Sequence, residues 1–414
     1  MTIDRDAYEW IDKGNALFDS GRYKKAIRSY EKAFEMDQDD VDAWTWIEIG
    51  NRLYELEKYQ EATKYYDKAI SVDKHAAWAW RNKGLSLSIL GKYTEAIKCY
   101  DKAIRIDRYF LDAWIDKGSA YCSLGKLKTA MKYFDKAIEI DPDFSDAWAR
   151  KGNALYDMQK YHEAITCYDT AAKLDRYNIW AWTYKGHALD LLGNHKEAVK
   201  QYRKAVRNSD RAISNNPEDL YIQLAKGDSL LAMDQISEAK KCLKKALNLE
   251  PTNADILMKL GAVYSDYTFE PKKGIEISQQ MLKINPRNEF AKAGMVEDLT
   301  AVGRYREARR YASQVMKETQ NVVFQSVMRY LVFASYVLEG KIVSSHKAFT
   351  EFVNYYRSLG DDFKIEENQW IFRGLIHAIR KSTTKPQTKY LLLSLIDLLK
   401  GEIDRRRLSF FHAS

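Results

Sequence analysis

Seven histidines, His75, His162, His187, His195, His346, His377 and His412, and four cysteines, Cys99, Cys122, Cys167 and Cys242, are the residues of this 414-residue chain best suited to nucleophilic or metal chemistry. Their spacing does not assemble it. No histidine pair reads H-x-x-x-H and no cysteine pair reads C-x-x-C, the local spacings that bring metal ligands together. No glycine-rich phosphate loop of the form G-x-G-x-x-G or G-x-x-x-x-G-K-[ST] follows a strand-like run. Asp112 and Asp116, four residues apart, and His187 with Asp190, three apart, share a helix face in the way an acid–base pair would. A solvated helix face accounts for both without catalysis. The expectation is a chain that is not an enzyme, with no cofactor and no metal, whose chemistry is that of binding.

The elements that carry these residues repeat. Gly84, Gly118, Gly152 and Gly186 are 34 residues apart, each followed 12 residues later by an alanine, Ala96, Ala130, Ala164 and Ala198. With the glycine at position 8, position 4 is Trp80, Trp114, Trp148 and Trp182, and position 24 is Tyr100, Phe134, Tyr168 and Tyr202. Position 27 is Ala103, Ala137, Ala171 and Ala205. Large and small residues alternating at helical spacing let two helices interlock. A glycine near position 15 (Gly91, Gly125, Gly193) breaks the run, so each unit reads helix, turn, helix.

Trp148, Lys151-Gly152, Leu155, Tyr161, Ala164, Tyr168 and Ala171, in one such unit, resemble the tetratricopeptide repeat (TPR), whose W-x2-L-G-x2-Y … A-x3-F … P pattern has this period. Two departures stand out. Lysine often replaces the leucine before the glycine (Lys13, Lys83, Lys117, Lys151, Lys185), and the closing proline survives only as Pro142, Pro251 and Pro286. The resemblance implies an all-α fold, a right-handed α/α superhelix or TPR solenoid, with C-terminal capping helices.

The same frame gives six regular units over 7–212, an extension and soft boundary at 213–219, and three more divergent units over 220–322. A degenerate repeat and capping helices follow over 323–414. The step from Gly186 to Gly227 is seven residues longer than 34, close to two turns, so the second helix of the sixth unit can lengthen and keep its apolar face in register. Asn215-Asn216-Pro217 should end it. The eighth unit carries one extra residue around 268–271, and the ninth has Val296 in place of the glycine. Near the C-terminus, helices are expected over about 365–380 and from Pro386 towards Arg407, the second apolar nearly all round between Tyr390 and Leu399. An open solenoid needs its last face covered, so a cap is one use of that helix; a homodimer contact or a partner surface is another. It is too short to span a membrane, which takes about 20 apolar residues.

No basic-then-apolar leader opens the sequence, and the cysteines fit a reducing compartment, three of them (Cys99, Cys167, Cys242) falling at position 23 of separate units. A cytoplasmic protein is the expectation. Net charge is +8, which could point to nucleic acid. Where the charges lie argues otherwise. In the family that the chain resembles, positions 2, 5, 6, 9, 12 and 13 of the first helices line a concave groove, and such a spacing is one helix face by geometry alone. Over units one to seven the acids there are Asp12, Asp19, Glu48, Glu55, Asp112, Asp116, Asp146, Asp157, Asp190 and Asp228, against two bases, Arg81 and Arg150. Lysines and arginines fall mostly on second helices. An acidic groove with a basic back attracts cationic peptides and repels phosphate backbones.

Aromatics share that face. Trp10, Trp46, Trp80, Trp114, Trp148 and Trp182 hold position 4 and read as core; Trp44, Trp78 and Trp180 hold position 2, where folding does not require tryptophan. Exposed tryptophan and tyrosine anchor partners. The candidate peptide site is therefore Trp44, Asn51, Tyr54, Trp78, Arg81, Asn82, Asp112, Asp116, Asp146, Arg150, Asn153, Tyr156, Trp180, Tyr184 and His187. The expected function is a protein–protein interaction scaffold or adaptor that holds a peptide segment of a partner, with basic and apolar side chains, in an acidic, aromatic groove. Two rivals stay open: a helical-repeat RNA-binding protein, supported by the net charge and Arg405-Arg406-Arg407, and a non-catalytic regulatory subunit of an enzyme complex docked through Gln369–Leu399.

Overall fold

The computed structural model describes residues 7–36, 41–216 and 219–358, with scattered positions between 376 and 396. Twenty α-helices and one π-helical turn are described, and among the described residues there is no strand. The first helices of the pairs are α1 (Ala7–Asp19), α3 (Ala43–Glu55), α5 (Ala77–Ile89), α7 (Leu111–Ser123), α9 (Ser145–Asp157) and α11 (Ile179–Leu191). Their partners are α2 (Tyr23–Glu35), α4 (Tyr59–Val72), α6 (Tyr93–Ile106), α8 (Leu127–Ile140), α10 (Tyr161–Leu174) and α12 (His195–Asn215). The divergent pairs follow as α13 (Leu220–Ala232) with α14 (Ile236–Leu249), α15 (Ala254–Ala262) with α16 (Pro271–Ile284), and α17 (Glu289–Ala301) with α18 (Tyr305–Glu318). A tenth pair is α19 (Val322–Leu338) with α20 (Ile342–Ser358).

One close approach sets each regular pair. A Cβ built on Gly50 would lie 2.5 Å from Tyr66 Cε1, and one on Gly84 the same distance from Tyr100 Cε1. The position-24 ring therefore lies flat on the backbone of position 8, and both tyrosines are about 1% exposed. The turn that follows the first helix needs a left-handed residue at position 15. Glycine supplies it at Gly91 (φ +75°) and Gly125 (φ +70°), while Glu57, Gln159 and Asp234 adopt φ near +60° there against their own preference.

Four of the lysines that depart from the family pattern, joined by Lys226, form a ladder between neighbouring pairs. Lys83–Asp67, Lys117–Asp101, Lys151–Asp135, Lys185–Asp169 and Lys226–Asp210 are each separated by 2.5–2.7 Å. Each lysine reaches back to the second helix of the preceding pair, and Lys83, Lys117 and Lys151 also lie over the position-4 indoles of their own helices. Those indoles are a correction to the core reading. Only Trp46 is fully buried. Trp80, Trp114, Trp148 and Trp182 are half-buried and donate Nε1–H to the carbonyl six residues earlier, at Lys74, Arg108, Pro142 and Arg176, which fastens the loop entering the helix.

Helix α12 has 21 residues against 14 in α10, so the seven-residue excess is taken up as two added turns. The chain divides into two compact units, residues 1–204 and 205–414, with the division inside α12. The first unit holds the regular pairs up to the middle of α12. In the second, the extra residue of the eighth pair appears as the π-helical turn Val263–Tyr267, where Thr268 N–H bonds to the Val263 carbonyl five residues back. The second unit's core runs through α17–α20 and includes Ile379, Leu392, Leu395 and Ile396, all 0% exposed. Tyr330 Oη donates to the Leu392 carbonyl at 3.0 Å. These four residues of the C-terminal segment are thus buried within the core of their own unit. Pro217, Gln369, Trp370 and Arg405–Arg407 lie outside the described residues.

Candidate binding groove

Trp44, Ile47, Asn51 and Tyr54 recur along one face of α3, and Trp78, Arg81, Asn82 and Leu85 along one face of α5; with Glu55 and Tyr66 they line a cavity of about 500 Å³. Six of the expected site residues thus share one recess: Trp44, Asn51, Tyr54, Trp78, Arg81 and Asn82. Trp44 is 58% exposed and Trp78 47%. Nothing in the repeat's packing requires an indole at either place, which is why both remain open to solvent.

Polar contacts inside the recess are largely committed to the fold. The Asn51 carbonyl oxygen accepts from Tyr66 Oη at 2.9 Å and from Asn82 Nδ2 at 2.8 Å. Asn153 accepts from Tyr168 Oη at 2.8 Å in the same register, and His187 Nδ1 meets Tyr202 Oη at 3.1 Å. Position 9 therefore holds the phenol of position 24, a duty that the fifteen-residue spacing encodes and that surface reasoning missed. Tyr202 also donates to Asp190 at 2.6 Å, and His195 Nδ1 lies 2.9 Å from the other oxygen of that carboxylate.

The acid excess shrinks in the same way. Arg81 Nε donates to Asp116 at 2.7 Å and its guanidinium lies 3.9 Å from Asp112. Burial pushes the Asp116 carboxyl up to about 6, against the pull of Arg81. Asp146 pairs with Arg150 within α9 at 3.4 Å, Asp19 with Arg52 at 2.8 Å, and Asp228 with Lys259 at 2.9 Å. Of the ten acids, Asp12, Glu48, Glu55 and Asp157 are exposed and have no ion pair among the described residues. Position 5 also differs from expectation, since Ile11, Ile47, Ile115, Ala149 and Thr183 are buried between helices.

Four more of the expected residues, Tyr156, Trp180, Tyr184 and His187, form a second aromatic cluster between α9 and α11. Tyr184 lies 5.7 Å from Trp180, 6.1 Å from Tyr156, 6.1 Å from Tyr168 and 6.0 Å from His187, ring centre to ring centre. Trp180 is half-buried, unlike Trp44 and Trp78. Trp78 itself is flanked by Phe110 at 4.6 Å and by the Arg81 guanidinium at 5.7 Å. Among the described residues no group of three or more His, Cys, Asp or Glu is placed to hold a metal. Cys99, Cys167 and Cys242 are buried free thiols; burial pushes Cys99 and Cys167 up to about 11, which makes them inert packing groups.

Models of the tetratricopeptide repeat match residues 77–110, 111–144 and 145–178, 14–47 and 227–266, and 45–75 and 181–210, together more than half of the chain. The chain belongs to the tetratricopeptide repeat family. Among curated proteins it is similar to the "Phagocyte signaling-impaired protein" of Drosophila pseudoobscura pseudoobscura, 26% identical over 173 residues, covering 36% of this chain and 18% of that protein. It therefore spans less than a fifth of the length of that relative. Among solved structures it is similar to YrrB, described as a TPR protein with an unusual peptide-binding site (24% identity, 47% of this chain and 96% of that one, TM-score 0.33). It is also similar to MamA 41-end from Desulfovibrio magneticus RS-1 (20% identity, 41% and 96%, TM-score 0.36). No described helix is long and apolar enough to cross a membrane.

Proposed function

We propose that the chain is a non-catalytic cytoplasmic scaffold that holds a peptide segment of a partner protein in the recess between α3 and α5. The tetratricopeptide repeat is a fold of protein–protein interaction, and one observation carries the finer reading. Two largely exposed indoles, Trp44 and Trp78, border a recess of about 500 Å³ whose arginine is already paired and whose carboxylate, Glu55, has no ion pair among the described residues. Such a recess favours a cationic or apolar side chain: the indole faces attract a cation, and Glu55 supplies the opposite charge. The four exposed acids without ion pairs steer a basic segment towards it, and salt screens that steering.

The test is affinity capture from source lysate with the intact chain and with Trp44→Ala/Trp78→Ala/Trp180→Ala, followed by binding of the captured partner at low and high salt. The triple variant should lose the partner, with Trp44 and Trp78 dominating because Trp180 is partly covered. Unchanged capture would show the recess is not the site.

A further inference from the structure

The eighth helix pair breaks the repeat's own rules at three places, and the three departures converge on one carboxyl group of the ninth. Counting in the extra residue of the π-turn, Ser278 stands where the other pairs place Tyr66, Tyr168 or Leu243, and Gly274 stands where they place Ala62, Ala164 or Ala239. Ser278 is much smaller than those side chains and lines a cavity of about 310 Å³, with apolar walls from Met258, Met281 and Phe290. At Gly274 an added Cβ would lie 2.2 Å from Asp298 Oδ2 and 2.5 Å from Ser265 Oγ, so the missing methyl admits the carboxyl group. The π-turn carries Ser265, whose hydroxyl donates to Asp298 Oδ2 at 2.9 Å.

Asp298 lines this cavity, is 2% exposed, and has no ion pair among the described residues. We propose that the cavity binds a primary ammonium group carried on an apolar stem, with Asp298 as its counter-ion. A carboxyl buried without a cation is a standing cost in any fold, and here a serine and a glycine stand beside it where other pairs carry a larger side chain and an alanine. Ser265 already donates to one carboxylate oxygen, so a two-pronged guanidinium would have to share that oxygen with it, whereas a compact ammonium can approach the other alone. Burial raises the Asp298 carboxyl to about 8, and an incoming cation would lower it again. The other charged groups at the cavity are Asp266 on the π-turn, Glu297 on α17, and Lys259 on α15, whose ammonium is held by Asp228; α16 contributes only Ser278 and Met281. Metal binding is a poor alternative, because the described carboxylates do not form a ligand cluster. A lysine side chain of a partner and a free alkylamine share the required chemistry.

Calorimetry on the full chain tests this with three probes: Nα-acetyl-lysine methylamide, its neutral isostere Nα-acetyl-norleucine methylamide, and n-butylamine. The lysine amide should bind at least about tenfold more tightly than the norleucine amide, and more tightly at about pH 9 than at about pH 6, as Asp298 ionises while the amine stays charged. Asp298→Asn should weaken it about tenfold or more. Ser278→Leu, which restores the residue type of the seventh pair, should abolish binding while the thermal melt shows a folded chain. Butylamine binding as tightly as the lysine amide assigns the site to free amines; tighter binding of the amide assigns it to a lysine side chain. Equal affinity for the norleucine amide, binding that improves at low pH, no binding of either amine, or full affinity in Asp298→Asn would each overturn the proposal. Both variants leave the Trp44–Trp78 recess intact, so failure here is distinct from failure there.

Discussion

The same substitution at the same repeat position should have opposite effects in two places. In Gly152→Ala the new methyl would lie 2.6 Å from Tyr168 Cε1, 2.8 Å from Cδ1 and 3.1 Å from Cζ. Carbon atoms in contact sit about 3.5–4.0 Å apart, so the ring must retreat by roughly 1 Å. It has nowhere to go: Tyr168 is 0% exposed and its hydroxyl is held by Asn153 at 2.8 Å. Overpacking costs about 1–3 kcal/mol, disturbing the buried hydrogen bond about 1 kcal/mol more, and the better helix propensity of alanine returns about 1 kcal/mol. The net is a loss of about 1–3 kcal/mol. At Gly261 the nearest atom to the new methyl is Ile277 Cγ2 at 3.5 Å, an ordinary contact, so only the propensity gain remains, about 1 kcal/mol of stabilisation. Repeat arrays do not unfold in a single step, so hydrogen exchange of the α9–α10 and α15–α16 amides is the suitable assay, with urea denaturation of the whole chain beside it. If Gly152→Ala protects its amides as Gly261→Ala does, the ring does not lie on the glycine backbone and the packing argument fails.

Lys117→Met should cost about 1 kcal/mol, because Lys117 is the most buried lysine of the ladder while Asp101 keeps some water; a double-mutant cycle with Asp101→Asn would read the pair directly, and zero coupling would reduce the ladder to a surface ornament. Gln159→Gly should stabilise the fifth turn by about 1 kcal/mol, since the left-handed backbone at φ +60° suits glycine, and a lower denaturation midpoint would contradict that. Asp298 holds its proton up to about pH 8 in the folded chain but loses it near 3.8 when unfolded, so the folded state binds more protons between those values and stability falls as pH rises through them. That loss is on the order of 5 kcal/mol for a group this buried; Asp298→Asn should remove it, making the variant relatively more stable at pH 8 than at pH 5 in parallel melts.

The helix pairs were legible because each is a local pattern. Gly152, Ala164, Tyr168 and Ala171 interlock within one 34-residue unit, so period and residue size were enough to read it. The seven-residue excess before Gly227 was likewise a matter of helical phase, and α12 absorbs it as two turns. The candidate groove was legible only as a set of faces. The repeat frame singled out Trp44, Trp78 and Trp180 at position 2; Trp44 and Trp78 are exposed and border the recess through their register on α3 and α5, while Trp180 is half-buried.

Charge was the part that spacing misjudged, since a carboxylate's partner comes from a neighbouring helix. Asp116 is answered by Arg81 from the preceding unit and Asp228 by Lys259 from the following one, each more than 30 residues away in sequence. Asn51, Asn153 and His187 looked like groove polarity and serve Tyr66, Tyr168 and Tyr202. The cavity around Asp298 had a signal, the loss of the aromatic at Ser278 beside an inserted residue, but its meaning depends on which side chain enters the vacated space. By itself the sequence determined the repeat, its period and the surplus tryptophans, because these are properties of one helix pair at a time. Only the tertiary structure decided which charges are neutralised and where a carboxyl is buried, because burial and pairing are set by the neighbouring pairs.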